Sequence, residues 1–148
     1  MSSRDDLLAR MNLARAELES VVTALRGREE ADLGDGWRVR DLIAHLALWE
    51  RVAAWKLGGG DVPYAEGLAD RDPWDLNAFN EGMRERWRDR PLNDVITEFD
   101  AAHAALVEVV SNASEEDCAP GGAARTAIDE DGAGHYIQHL SDLRSAMF

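Results

Sequence analysis

Between Leu7 and Leu25 apolar side chains recur at alternating steps of four and three: Leu7, Met11, Ala14, Leu18, Val21 and Leu25. A repeat averaging about 3.5 residues puts all of them on one stripe of an α-helix, whereas the period-two geometry of a strand would scatter them over both faces. A stripe of that length must be covered by other helices. Ser3 is placed to cap this helix, with Asp6 at the third helical position.

The rest of the chain supplies the covering helices. After the break "LGDG" a second helix starts near Trp37 and carries Val39, Leu42, Leu46, Trp49 and Ala53 on one stripe until the glycines at 58–60 end it. The first two helices are expected to pack antiparallel. The stretch 61–72, with Pro63 and Gly67, reads as a loop of the kind that borders a pocket. Asp72 before Pro73, with Asp75 completing the cap, starts a third helical region. Pro91 restarts that region, and Leu92, Ile96, Phe99, His103, Leu106 and Val110 form the stripe that follows. "EEDCAPGGAART" is a break. The last helix buries Tyr136, Leu140, Leu143 and Met147, and Gly132 and Gly134 weaken any helix drawn from Ile128. No segment alternates as a strand does. The expectation is one all-α domain over residues 1–148, a four-helix bundle with an extra helical segment before the third core helix.

Charge and composition remove whole classes of function. With 29 acidic against 16 basic residues the net charge is −13, and such a surface repels phosphate backbones, so nucleic acid is excluded as a partner. "RERWRDR" at 84–90 is the one basic run, and its interleaved acids make it a solvated helix face. No apolar run approaches the roughly 18 residues of a membrane span, which leaves no membrane role. The charged start "MSSRDD" is no signal peptide, and Cys118 alone cannot build a disulfide framework, so a cytoplasmic home is expected. Cys118 also lacks a basic neighbour that would make it a thiolate nucleophile.

Four histidines carry the functional reading. His45 lies on the flank of the second helix's stripe, and His135 and His139 flank the last one. An i, i+4 spacing brings two ring nitrogens close enough to share one ion, and bundles build metal sites from side chains on facing helices. Three protein ligands leave a coordination position open, as in catalytic zinc sites. Periodicity alone leaves a metal site and a satisfied polar core evenly matched.

"GWRVRDLIAHLALWE" at 36–50 resembles the helix-two signature of the DinB-like four-helix bundle family, particularly its ClbS/DfsB branch. The likeness continues through "DLNAFNEGMRERWRDRPLNDVITEF" and "GHYIQHLSDLR", the latter similar to the family's last helix with its paired histidines. The resemblance implies that His45, His135 and His139 are a metal triad. The mycothiol-dependent maleylpyruvate isomerases have similar N-terminal bundles, often with a carboxylate within the triad and an additional domain. Imidazoles suit a divalent transition metal, with zinc the default and nickel or iron the alternatives.

Glu50, Asp142 and His103 are the acid–base candidates beside such a centre. Glu50 and Asp142 are also the candidates to accept the ligand histidines' other N–H, while the first reading of His103, on the stripe of its helix, is a core or interface imidazole with a backbone or carboxylate partner. Trp49, Tyr136 and Tyr64 are the candidates to line a substrate pocket, and Trp37 reads as a structural wedge before the second helix. The expected function is metal-dependent hydrolysis, or transfer of a low-molecular-weight thiol to an electrophilic small molecule. The alternative is a non-catalytic metal- or ligand-binding protein related to stress. A homodimer would cover Trp55, Trp87 or Phe148, which lack an obvious internal seat.

Overall fold

The computed structural model describes residues 2–59 and 76–148. The expected loop at 61–72, the Asp72–Pro73 helix start and Tyr64 lie outside them. Helix α1 spans Ser3–Ala24, and Ser2, not Ser3, caps it, its hydroxyl accepting from the Asp5 N–H at 3.1 Å. The two serines offer the same cap-plus-acid pattern one residue apart, and the earlier register leaves Asp6 free to bond Arg10 and Arg125. Leu7, Met11, Leu18, Val21 and Leu25 are buried as the repeat requires, with Arg15 buried among them.

The break after α1 contains a small antiparallel pair, β1 (Asp32–Gly34) and β2 (Trp37–Arg38), which corrects the expectation of no strand. Gly34, Asp35 and Gly36 all take positive φ, with Asp35 at 54°, so "GDG" makes the tight turn that two glycines permit. Trp37 therefore sits in a strand, and the helix expected near it starts later. Helix α2 spans Val39–Gly58, and a reciprocal cap fixes its start: the Arg38 N–H donates to the Asp41 carboxylate at 2.9 Å while the Arg38 side chain bonds the same acid. It is buried on nearly every face instead of along one stripe.

Helix α3 covers Leu76–Trp87 and α4 covers Leu92–Ser111, with Pro91 as the cap of α4. Helix α5 is the single turn Glu115–Cys118 inside the expected break, and α6 (Ala123–Asp131) and α7 (Ala133–Ser145) follow. The chain is all-α apart from the hairpin, as expected. Central α2 packs most extensively along α4, and also against α3, α6 and α7. The antiparallel pairing of α1 and α2 does not hold, because α1 lies against α7, α5 and α4. The hairpin touches α7, so it carries the chain across the end of the bundle and delivers α2 to the far side of the core.

Two aromatic expectations change. Trp87 is buried in the main core among Leu42, Val95 and Phe99, so the "RERWRDR" run is not only a solvated face and Trp87 needs no partner subunit. Phe148 is fully exposed. The α6–α7 junction is a close approach of backbone to backbone. Gly132 separates the two helices, and a Cβ on Gly134 would lie 1.9 Å from the Asp129 carbonyl oxygen, inside any contact a side chain can make. The glycines that looked like helix breakers let α7 start hard against the end of α6.

Candidate metal centre

Three imidazoles from two helices converge at one end of the bundle. His45 comes from the middle of α2, and His135 and His139 come from the first turns of α7. His135 Nε2 lies 3.3 Å from His45 Nε2 and 3.0 Å from His139 Nε2, and all three rings offer a nitrogen within 4.8 Å of one another. His45 and His135 are each 9% exposed.

The donor set suits a cation. Burial first, then the charges of His135 and His139, lower the pKa of His45 to about 3, and burial with His139 lowers that of His135 to about 4. Both rings are therefore neutral near pH 7, each with one lone pair to give. Ligand nitrogens about 2.0–2.1 Å from a common ion stand roughly 2.8–3.4 Å apart for angles between 90° and tetrahedral. The two Nε2 separations fall in that range. The Nδ1 atoms of all three histidines are buried without a hydrogen-bond partner. The Asp142 carboxylate lies 3.5 Å from His139 Nδ1, close enough for a charge interaction but outside hydrogen-bond geometry.

Packing, in place of hydrogen bonds, orients the rings. Trp37 meets His45 edge-on at 5.6 Å between centroids, and Trp49 stands against both His45 and His135 at 6.4 and 6.3 Å. Trp49 is itself held by a hydrogen bond from its indole N–H to Asn80 Oδ1 at 3.0 Å. These tryptophans form walls of an open cleft of about 740 Å³ with the histidines in its lining, a volume within the usual range for small-molecule sites. Its rim carries Asp35, Glu130, Asp131 and Asp142, together with Lys56, which is ion-paired to Asp131 at 2.8 Å.

The sequence candidates separate into two groups. His45, His135, His139, Trp49 and Asp142 are brought together in this cleft. Glu50, His103 and Tyr136 lie elsewhere, in a buried polar cluster with Arg15. Glu50 is five residues after His45, about 140° further round the helix, so it faces away from the imidazoles. There its carboxylate lies 3.3 Å from His103 Nδ1 and 3.9 Å from Arg15 Nη1. Tyr136 follows His135 by about 100° and sends its hydroxyl to within 3.4 Å of His103 Nδ1. The expectation that Glu50 orients a ligand histidine is thus corrected, and Glu50 and His103 partner each other.

Sequence reasoning missed Trp37, Lys56 and Asn80. Lys56 was recoverable, since eleven residues after His45 returns the helix to nearly the same face. Trp37 was not, because its position depends on the hairpin turn, and Asn80 depends on how α3 packs on α2.

Among known families, residues 11–140 match the mycothiol maleylpyruvate isomerase N-terminal domain. The chain belongs to this family. The family lies within the DinB-like helical superfamily, so the coarser resemblance in the sequence stands, while the match names the thiol-dependent members and not the ClbS/DfsB branch. A three-histidine set differs from the mixed imidazole–carboxylate triad expected of those members. No curated protein and no solved structure gives a significant match. Among the described residues no helix is long and apolar enough to cross a membrane.

Proposed function

We propose that this protein uses a divalent metal, with zinc as the first candidate, to activate a low-molecular-weight thiol for attack on an electrophilic small molecule. The convergence of the His45, His135 and His139 nitrogens carries this reading. An ion held by them supplies Lewis acidity, which lowers the pKa of a thiol or water taking the remaining position. The chain's own groups do the rest. Trp37 and Trp49 wall the cleft and limit water at its floor, and Asp142 beside His139 favours a proton on Nδ1, which keeps the lone pair on Nε2.

Thiol transfer is preferred to hydrolysis because of where the bases lie. Hydrolysis calls for a general base beside the attacking water, and Glu50 and His103 are turned to the other side of α2. Asp142 alone of the three acid–base candidates lines the cleft. A thiol would need less help from a base, because its ordinary pKa, about 8.5 for a cysteine thiol, already lies far below that of water. The family supports the same choice by its description. Hydrolysis is the second reading, with Asp142 in the cleft as the carboxylate that would serve as its base.

The test compares zinc-loaded protein with the His45→Ala variant on epoxides and activated esters, each with and without a small thiol. Turnover that requires both the thiol and His45 supports the proposal. Turnover without thiol moves the reading to hydrolysis, and background rates throughout leave a metal- or ligand-binding protein without turnover.

A further inference from the structure

The rim of the histidine cleft has an uneven charge balance. Asp35 and Glu130 have no lysine or arginine paired with them among the described residues, and Asp142 has only the His139 imidazole beside it, at 3.5 Å. Lys56 is the one lysine or arginine lining the cleft there, and Asp131 already holds it at 2.8 Å. Arg84 lies close by over Trp37, yet its guanidinium is committed to Glu81 at 2.7 Å and to the Gly36 carbonyl at 3.0 Å. Among the described residues a bound anion would meet carboxylates and no uncommitted lysine or arginine. A cation would meet carboxylates and the two tryptophans that wall the pocket, and both groups favour positive charge. At the foot of this acidic rim stand His45 and His135, about nine-tenths buried, each with its Nδ1 unpartnered and its Nε2 turned towards the shared centre.

We propose that the cleft selects its co-substrate by charge, admitting a thiol or other metal-coordinating molecule that carries an ammonium or similar cation and disfavouring its anionic counterpart. Asp35 and Glu130 are the selectivity residues. This rests on the metal-centre reading and deepens it.

Three thiols separate the terms: thiocholine and 2-mercaptoethanesulfonate, similar in size and opposite in charge, and the smaller 2-mercaptoethanol as a neutral reference. Cobalt(II) replaces zinc, so that thiolate coordination is read from its sulfur-to-cobalt absorption band and gives a Kd without any turnover. Thiocholine should bind at least about 10-fold more tightly than the sulfonate at low salt, with mercaptoethanol between, and the spread should shrink in 0.5 M salt as the rim is screened. In the Asp35→Asn, Glu130→Gln variant the cation and anion affinities should move together by several-fold each, with mercaptoethanol unchanged. Asparagine accepts the positive φ of position 35, so that turn is retained. Equal affinities, or an order led by the sulfonate, overturn charge selection and leave the metal centre standing. Stoichiometric cobalt with no thiolate band for any probe overturns the open coordination position, and this inference with it.

Discussion

Gly134→Ala sets two physical effects against each other with opposite signs. Position 134 is inside α7, where alanine is favoured over glycine by about 1 kcal/mol, so propensity alone says the variant gains stability. The structure says the reverse. The new Cβ would stand 1.9 Å from the Asp129 oxygen, 2.7 Å from its carbonyl carbon and 2.9 Å from its Cα, all backbone atoms that no side-chain rotation can remove. Relief requires α6 and α7 to separate by roughly 1 Å, which puts the overpacking cost in the upper part of the usual range, at about 2–3 kcal/mol. The net is a loss of about 1–2 kcal/mol, and for a domain of this size a fall in Tm of roughly 2–8 °C. The shift also moves His135 and His139 relative to His45, whose Nε2 is now 3.3 Å from that of His135, so cobalt affinity should drop at least about 10-fold, or ~1.4 kcal/mol. Urea or thermal unfolding of metal-free protein and a cobalt titration read the two effects separately. A variant as stable as the parent, with unchanged cobalt affinity, would refute the close-approach argument.

Other substitutions and conditions probe the rest of the site. His45→Ala, and His135→Ala with His139→Ala, should each abolish stoichiometric metal in tag-free protein by elemental analysis while the helical circular dichroism persists; metal retained at one equivalent would show that the histidines are not the ligands. Metal-free protein should lose stability on acidification. His45 and His135 have folded pKa values near 3 and 4 against about 6.5 unfolded, so the unfolded chain binds the extra protons. Their contribution is complete above about pH 6.5 and lost as pH falls towards 4, with a slope of up to ~2.7 kcal/mol per pH unit, and urea midpoints that stay flat between pH 7 and 5 would contradict it. Glu50→Gln should destabilise by about 1–3 kcal/mol, because Arg15 is 4% exposed and loses a buried counter-charge, yet leave metal affinity nearly unchanged; a large fall in metal affinity would mean that Glu50 serves the centre.

The features that were legible in the sequence are those set by helical period. The stripe from Leu7 to Leu25 announced a bundle, and the spacing of His135 and His139 announced a shared face. His45 lay on a stripe flank of another helix, and the structure brings it to the pair. The period also held the information that Glu50 turns away from His45, but its closeness to Trp49 in the chain outweighed the angle. The position of Trp37 was not legible, since three consecutive positive φ values decide it and only the two glycines hinted at them. Trp87 looked like surface because arginines surround it. Its burial depends on α3 and α4 closing over α2, and no local pattern carries that. The α1–α2 pairing failed for a related reason, because short connections usually join neighbours and here a hairpin spans the bundle end.

The three converging histidines stand against Trp37 and Trp49 at the cleft, while the helices are held together by apolar clusters that contain residues such as Leu46, Leu106 and Leu48. The fold and the chemistry are therefore separable inheritances. A lineage can exchange one imidazole for a carboxylate, or lose the ion altogether, without repacking the bundle beneath it. Gly134 is the exception, one position where a single methyl group would register on the scaffold and the centre at once. Descendants of such a chain are free to drift in metal and in reaction, and are held at that junction.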